Sequence, residues 1–168
     1  ETEFIGRGVS YCATCDGAFF RGMPVAVVGS TESACDAALE LAALDATVTI
    51  VTTTALKAHE AVLEKVVAER GITVRTGLKP TAVVGEDRVT GLAVRDTASG
   101  AEETIAVSGV FIETGSIPVS EFTGGLVEVT ERGEIVVDRH CRTSTPGIYA
   151  AGDVTDGLGK QIIIAAGE

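Results

Sequence analysis

The sequence has few aromatic residues, few cysteines and no tryptophan, and it lacks any long apolar run. Only four cysteines occur in 168 residues, too few and too scattered for the disulfide framework of a small secreted protein, so we expect a reducing cytoplasm. No apolar run approaches the roughly 18–20 residues of a membrane-spanning helix. Residues 1–4 include neither a basic nor an apolar segment, which argues against a signal peptide.

Positive charge is also scarce. Thirteen lysines and arginines stand against 24 acidic residues, which gives a formal net charge of −11 at pH 7. A surface of this sign repels nucleic acid and anionic membranes, so we expect neither as a partner. It remains compatible with docking on a basic protein surface. Hydrophobic residues make up 45% of the chain, which predicts a globular core and excludes disorder.

Short β-branched runs alternate with helical patterns in the first two thirds of the chain. The apolar spacing predicts parallel strands at 25–28, 47–51, 72–75 and 109–112, and helices at about 34–44 and 58–70. The apolar face of the second helix is predicted to comprise Ala61, Val62, Lys65, Val66 and Val67. Three short segments between residues 81 and 107, separated by turn residues, predict an antiparallel meander. The fold class is therefore α/β, a doubly wound parallel sheet with a three-stranded meander.

The pattern changes after residues 115–118, which are typical of a hinge or loop. Beyond this point the sequence predicts a hairpin-like segment at 126–137 and a strand at 148–151. The final residues, from Lys160 onward, predict the beginning of an apolar helix.

Cys12 and Cys15 are spaced C-x-x-C, and two cysteines at this spacing can close a small redox disulfide. A buried strand that ends in Gly29 follows within a dozen residues, and this combination indicates electron transfer between a cofactor and a disulfide. A zinc site is the first alternative, but a second ligand pair would have to come from scattered residues: Cys35, Cys141, His59 and His140. The second alternative is that both cysteines are ordinary core residues without a redox function.

Three segments carry a resemblance to a known family. Residues 8–20, which read GVSYCATCDGAFF, resemble the active-site segment of the low-molecular-weight thioredoxin reductase family. Residues 147–153 resemble that family's second flavin motif, and Lys160-Gln161-Ile162 resembles its segment beneath the isoalloxazine ring. Within this family the chain is most similar to the branch formed by the flavoprotein subunits of alkyl hydroperoxide reductase.

The resemblance implies a domain organisation. In such proteins a nicotinamide domain is inserted between two halves of a flavin domain, both of the Rossmann-like FAD/NAD(P)-binding type. Residues 1–114 would be the nicotinamide-nucleotide-type domain with the redox pair, and residues 115–168 the C-terminal segment of an incomplete FAD domain. No Gly-x-Gly-x-x-Gly precedes the cysteines, so we expect a fragment that lacks the N-terminal FAD half and does not hold FAD tightly by itself.

The resemblance also implies roles for the residues of the redox segment. Cys15 would exchange electrons with FAD, and Cys12 would face the substrate. Asp16 is a candidate general acid that moves a proton to or from the thiolate, or alternatively a turn carboxylate. The substrate would be a thioredoxin-like or peroxiredoxin-linked protein disulfide, and the intact protein would be a homodimer.

Five residues near the end of the chain are candidate flavin contacts by the same resemblance. Gly152 would let the backbone approach the phosphates, and Asp153 would accept a hydrogen bond from a ribityl or ribose hydroxyl. Lys160, Gln161 and Ile162 would lie beneath the ring.

The predicted nucleotide loop departs from the dinucleotide fingerprint Gly-x-Gly-x-x-Gly/Ala. Gly29 and Ala34 hold the outer positions and Ser30 follows the first glycine, but Thr31 occupies the middle one, where its Cβ crowds the phosphate path. Glu32 adds negative charge, and the threonines at 52–54 offer neither an arginine for a 2′-phosphate nor an acid for a ribose. We therefore predict weak NAD(P)H binding.

The electron donor stays open between NADPH, NADH and ferredoxin. A non-catalytic family member that keeps the dithiol but has lost its electron supply is the remaining alternative.

Overall fold

The computed structural model describes residues 1–168, and the chain divides into two compact units, Glu1–Gly115 and Ser116–Glu168. The strands, all in the first unit, are β1 (Val9–Ser10), β2 (Pro24–Val28), β3 (Thr47–Val51), β4 (Ile72–Arg75), β5 (Leu78–Gly85), β6 (Val89–Asp96), β7 (Glu102–Ala106) and β8 (Gly109–Ile112). The α-helices are α1 (Ala13–Asp16), α2 (Glu32–Ala42), α3 (Glu60–Ala68) and, in the second unit, α4 (Ile162–Gly167). Short 3₁₀ turns occupy Thr2–Phe4, Gly17–Phe20 and Glu121–Thr123.

The first unit is built on a five-stranded parallel sheet with the strand order β1-β8-β2-β3-β4. Strands β5, β6 and β7 form a separate antiparallel sheet in that order. This arrangement confirms the predicted α/β fold with its three-stranded meander. Strand β1, only two residues long, was not predicted; β8 is the strand with which it pairs, and Val9 also forms an isolated bridge to Ile5.

Strand β2 supplies side chains to both faces of the parallel sheet. Val25 and Val27 pack in a cluster with α2 and α3, whereas Ala26 and Val28 pack in a second cluster with residues of the meander. Both faces are therefore covered, which explains why the strand reads as a continuous apolar run. Helix α2 approaches the sheet closely because its buried residues are mostly small: Ala34, Cys35, Ala37, Ala38 and Leu41.

The predicted apolar face of α3 is partly wrong. Val66 is buried, and Val62 packs against the cluster that Val25 and Val27 form with α2 and α3, as expected. Val67, however, is 83% exposed, and Leu63 takes its place against the core. Val67 lies one turn beyond Leu63, at the end of α3, and the periodicity alone does not show where along the helix the contact with the core stops.

The second unit contains little regular structure. Its buried residues include Val127, Ile135 and Thr155. The predicted strand at 148–151 is wrong, because one isolated bridge between Arg142 and Tyr149 takes its place. A single bridge from Val129 to Ile135 lies within the predicted hairpin-like segment. No helix of the structure combines the length and apolar character needed to cross a membrane.

Candidate functional site

Cys12 and Cys15 form a disulfide in the structure, at the junction of β1 and α1. Cys12 is the N-cap of α1 in extended conformation, and its Sγ accepts a hydrogen bond of 3.1 Å from the backbone N–H of Cys15. Cys15 is exposed and Cys12 is half-buried. The pair is therefore accessible to a reaction partner, and the sulfur of Cys12 lies against a backbone donor.

A buried hydroxyl connects this disulfide to Asp16. Ser10, at the end of β1 and 4% exposed, donates a hydrogen bond of 2.7 Å from Oγ to Oδ2 of Asp16. The same Oγ accepts a hydrogen bond of 3.1 Å from the backbone N–H of Cys12. The structure thus brings Cys12, Cys15 and Asp16 into one cluster. Ser10 was not predicted, because its place in the cluster depends on β1, a two-residue strand that forms only by pairing with β8.

A cavity of about 430 Å³ lies beside this cluster, and its lining is mixed in character. Ser10 and Asp16 form the part nearest the disulfide. Phe19, which is 77% exposed, contributes an apolar wall. Arg7 and Arg88 add positive charge to a chain that is otherwise strongly acidic. Such a surface is suited to contact with another protein, because exposed aromatics and arginines are enriched where proteins associate.

The predicted nucleotide loop runs from the end of β2 to the beginning of α2. A Cβ at Gly29 would overlap the backbone carbonyl oxygen of Glu113, so only glycine fits there. The backbone N–H of Lys57 donates a hydrogen bond of 2.6 Å to the carbonyl of Ser30, which fixes the loop against the segment that precedes α3. Thr31 is the N-cap of α2, and its Oγ1 lies 3.0 Å from Oγ of Ser33 without a side-chain hydrogen bond to the helix backbone; Ala34 is fully buried.

A cleft of about 190 Å³ opens beside this loop, at the carboxyl ends of β2, β3 and β8. Ligands of open parallel sheets bind at this edge. Burial raises the pKa of the Glu113 carboxyl in the wall of the cleft; a hydrogen bond with Ser33 opposes this shift, and the negative charge of Glu40 adds to it. Glu113 was not predicted, since it lies 79 positions after Ala34 in the chain and only the sheet brings the two together.

The remaining side of the cleft carries threonines in place of charged groups. Thr52 is buried, and its Oγ1 accepts a hydrogen bond of 3.2 Å from the backbone N–H of Thr54. Thr53 lines the cleft. No cationic side chain is present among the lining residues.

In the second unit, the structure brings three of the five predicted flavin contacts together. Gly152 has a φ of +86°, and its N–H donates a hydrogen bond of 2.6 Å to a carboxylate oxygen of Glu168. The Nζ of Lys160 donates to the carbonyl of Asp153 at 3.3 Å and pairs with Glu134 at 3.2 Å.

The other two predicted contacts follow directly in the chain. Gln161 is the N-cap of α4, and Ile162, the first residue of that helix, is 81% exposed.

The cysteines and histidines outside the pair occupy ordinary structural positions. Cys35 is fully buried in α2, as predicted, and burial raises the pKa of its thiol. Cys141 is half-buried, and His59 caps α3 by accepting a hydrogen bond from the backbone of Ala61. No group of three or more His, Cys, Asp or Glu side chains in the structure is arranged to hold a metal ion.

Comparison with known proteins gives consistent results. Residues 1–168 match the family model described as pyridine nucleotide-disulphide oxidoreductase. The chain is 40% identical over 168 residues to the F subunit of alkyl hydroperoxide reductase in Staphylococcus aureus (strain Mu50 / ATCC 700699), and the match covers 99% of this chain and 33% of that protein. The chain therefore spans about a third of the length of this relative.

Two solved structures extend the comparison. Thioredoxin reductase from Streptococcus pyogenes MGAS5005 superimposes with a TM-score of 0.87 at 36% identity, covering 96% of this chain and 53% of that one. A ferredoxin-flavin thioredoxin reductase from Clostridium acetobutylicum superimposes with a TM-score of 0.56 at 31% identity, covering 100% and 53%. The chain spans just over half of each.

Proposed function

The chain belongs to the pyridine nucleotide-disulphide oxidoreductase family, and from that premise we propose that it carries the dithiol centre of a flavin-dependent disulfide reductase. The family match confirms the resemblance seen in the sequence. The observation that carries the proposal is the accessible Cys12–Cys15 disulfide, held at a helix N-terminus beside the Ser10–Asp16 pair.

In the reduced form, the thiolate of Cys12 attacks one sulfur of a partner disulfide. This step forms a mixed disulfide and releases the first partner thiol. Cys15 then attacks the sulfur of Cys12, which re-forms the Cys12–Cys15 disulfide and releases the second partner thiol. Two electrons pass to the partner, and the two protons lost by the dithiol end on the two partner thiols.

The geometry favours Cys12 as the attacking residue. The N–H of Cys15 lies 3.1 Å from its sulfur, and a backbone donor stabilises a thiolate more than a thiol. Asp16 is the candidate proton carrier, since it is half-buried and its carboxylate is oriented by Ser10. Its carboxyl group would take the proton from one thiol of the pair and pass it to the departing partner sulfur.

Proteins of this family bind FAD, which in its reduced form supplies the two electrons that convert such a disulfide into a dithiol. Two residues of the second unit support this cofactor. The N–H of Gly152 already accommodates an anionic oxygen, that of Glu168, as a phosphate would require. Asp153 presents an exposed carboxylate for a hydroxyl group. We propose that Gly152 and Asp153 hold the cofactor, with Lys160, Gln161 and Ile162 beside its ring.

The proposed partner is a thioredoxin-like or peroxiredoxin-linked protein disulfide, and the intact protein would act as a homodimer. The names of the relatives support this class of substrate, since they are one component of an alkyl hydroperoxide reductase and a thioredoxin reductase. The cavity beside the disulfide, with Phe19 and Arg7 in its wall, offers a surface for such a partner. We also propose that the protein works in the cytoplasm, because Cys35 and Cys141 are free thiols.

A ferredoxin-linked enzyme is the second candidate. It is favoured by the departures from the dinucleotide fingerprint at Thr31 and Glu32. The similarity to a ferredoxin-flavin thioredoxin reductase supports it as well. The disulfide chemistry is the same in both candidates, and only the source of electrons differs.

The test is a single-turnover exchange that does not depend on the electron donor. The chain is reduced chemically, separated from the reductant and mixed with an oxidised thioredoxin, and the partner thiols are counted by mass. We expect about one partner disulfide reduced per chain. Cys12→Ser should abolish the reaction, Cys15→Ser should trap a mixed disulfide on Cys12, and Cys141→Ser serves as the matched control that retains activity. A wild-type rate no faster than that of Cys12→Ser would favour the non-catalytic alternative and exclude the proposal.

A further inference from the structure

The family description implies a pyridine nucleotide, yet the cleft between β2 and α2 does not fit one. We propose that this cleft excludes NADH and NADPH, and that Thr31, Glu32 and Glu113 are the residues that exclude them. The inference deepens the proposed function by restricting its electron donor, and it rests on a property, nucleotide binding, that is measured independently of disulfide exchange.

The first contribution is steric. The middle glycine of the fingerprint lets the pyrophosphate approach the backbone, and here Thr31 places a branched side chain at that position. The loop has little freedom to move this side chain aside, because Thr31 bridges to Lys57 and the Lys57 N–H is bonded to Ser30 at 2.6 Å. The cleft measures about 190 Å³, below the roughly 300–1,000 Å³ typical of small-molecule sites.

The second contribution is electrostatic. The N-terminus of a helix normally attracts the pyrophosphate. Here, however, two carboxylates lie near the N-terminus of α2. Glu32 is the first residue of the helix, and its Oε2 already accepts a hydrogen bond of 2.9 Å from the backbone N–H of His59. Glu113 lies in the wall of the cleft. A diphosphate entering the cleft would therefore meet the carboxylate of Glu113 in its wall, with the carboxylate of Glu32 at the adjoining end of α2.

The third contribution is the missing recognition of the ribose. Thr52, Thr53 and Thr54 directly follow β3. None of them supplies the acid that binds a ribose or the arginine that binds a 2′-phosphate. Thr52 is buried and engaged with Thr54. Neither NADH nor NADPH is favoured, so exclusion is expected to apply to both.

The experiment is a calorimetric titration of the full 168-residue chain with NADH and with NADPH, in separate runs. We expect no saturable binding below about 1 mM, a concentration that corresponds to about −4.1 kcal/mol. A micromolar dissociation constant for either nucleotide would overturn the proposal. Loss of thiol–disulfide exchange in the test described above would remove the proposed function and leave this result unaffected.

Two variants identify the residues responsible. The double substitution Thr31→Gly with Glu32→Gln restores the fingerprint glycine and removes one charge, and Glu113→Gln removes the other. We expect the double variant to gain binding of at least about tenfold, and Glu113→Gln to add to it. Glu64→Gln, an exposed residue of α3, controls for the change in net charge. Circular dichroism verifies folding, and folded variants that bind no better than wild type would overturn the assignment to these residues.

Discussion

The hydroxyl of Ser10 and the carboxylate of Asp16 are joined by a hydrogen bond of 2.7 Å. The bond links the last residue of β1 to the last residue of α1, and the two cysteines lie between them in the chain. The disulfide segment is thereby closed into a small loop whose base is a buried strand. Ser10 acts through Asp16 and the Cys12 backbone, and it is a positioning residue for the proposed chemistry.

Ser10→Ala should slow single-turnover exchange with oxidised thioredoxin by about fivefold. One lost hydrogen bond of about 1 kcal/mol corresponds to a change of this size. The slower rate should come with an altered pH profile, because Asp16 loses its oriented donor. Thr14→Ala is the matched control, since its hydroxyl bonds to Glu40 outside the cluster. Equal rates and equal pH profiles for the two variants would show that Ser10 has no positioning role.

Cys35 should be protected from alkylation in the folded chain. Burial, with the charges of Asp36 and Glu32, raises the pKa of its thiol, so little thiolate forms and reagents have no access. With the Cys12–Cys15 disulfide intact, we expect iodoacetamide at pH 8 to modify Cys141 faster by about tenfold or more. Peptide mass spectrometry measures both rates. Urea should abolish the difference, and equal rates without urea would contradict the prediction.

Glu113→Gln should stabilise the folded chain at neutral pH. Burial raises the folded-state pKa of Glu113 above its ordinary value of about 4.5. The proton-linked stability of this group is therefore complete below pH 4.5 and is lost as the pH rises through the raised pKa. The variant should unfold at higher urea concentration than wild type at pH 7, and the difference should vanish near pH 4. A constant difference at both pH values would exclude the carboxyl as its source.

Phe111→Ala should destabilise the first unit by about 3–5 kcal/mol. The substitution removes a fully buried aromatic side chain from the core cluster between the parallel sheet and helices α2 and α3. The ring of Phe111 also meets that of Phe20 edge to face, at a centroid distance of 5.2 Å. Urea unfolding followed by circular dichroism gives the free energy of unfolding. Phe19→Ala, at an exposed position, should change it by less than about 0.5 kcal/mol. Similar losses for both variants would contradict this assignment of the core.

Most of the parallel sheet follows from local sequence. The strands at 47–51, 72–75 and 109–112 were predicted at their observed bounds, because β-branched runs flanked by turn residues are typical of buried parallel strands. Strand β1 could not be predicted, because two residues are too few to show a periodicity. Val9 and Ser10 become a strand only by pairing with β8. Pairing of this kind is tertiary information.

The residues of the candidate site also fall into two groups: those that the sequence predicts and those that only the fold places there. Cys12, Cys15 and the departures at Thr31 and Glu32 are visible in the sequence, because each belongs to a motif with fixed spacing. Ser10 and Glu113 are not, since each gains its place from contacts that the fold creates. The strand predicted at 148–151 failed for a related reason: the apolar residues were present, but the structure offers them only the single Arg142–Tyr149 bridge.

The position of β1 in the sheet has a consequence for biosynthesis. Its pairing partner, β8, is the last strand of the sheet to leave the ribosome, about 100 residues after β1. The nascent C-x-x-C segment therefore emerges without its anchor and gains it only when residues 109–112 insert between β1 and β2. During that interval the two thiols are free to pair with foreign sulfurs. We expect the growing chain to depend on a strongly reducing environment, or on thiol-protecting chaperones, until this insertion occurs.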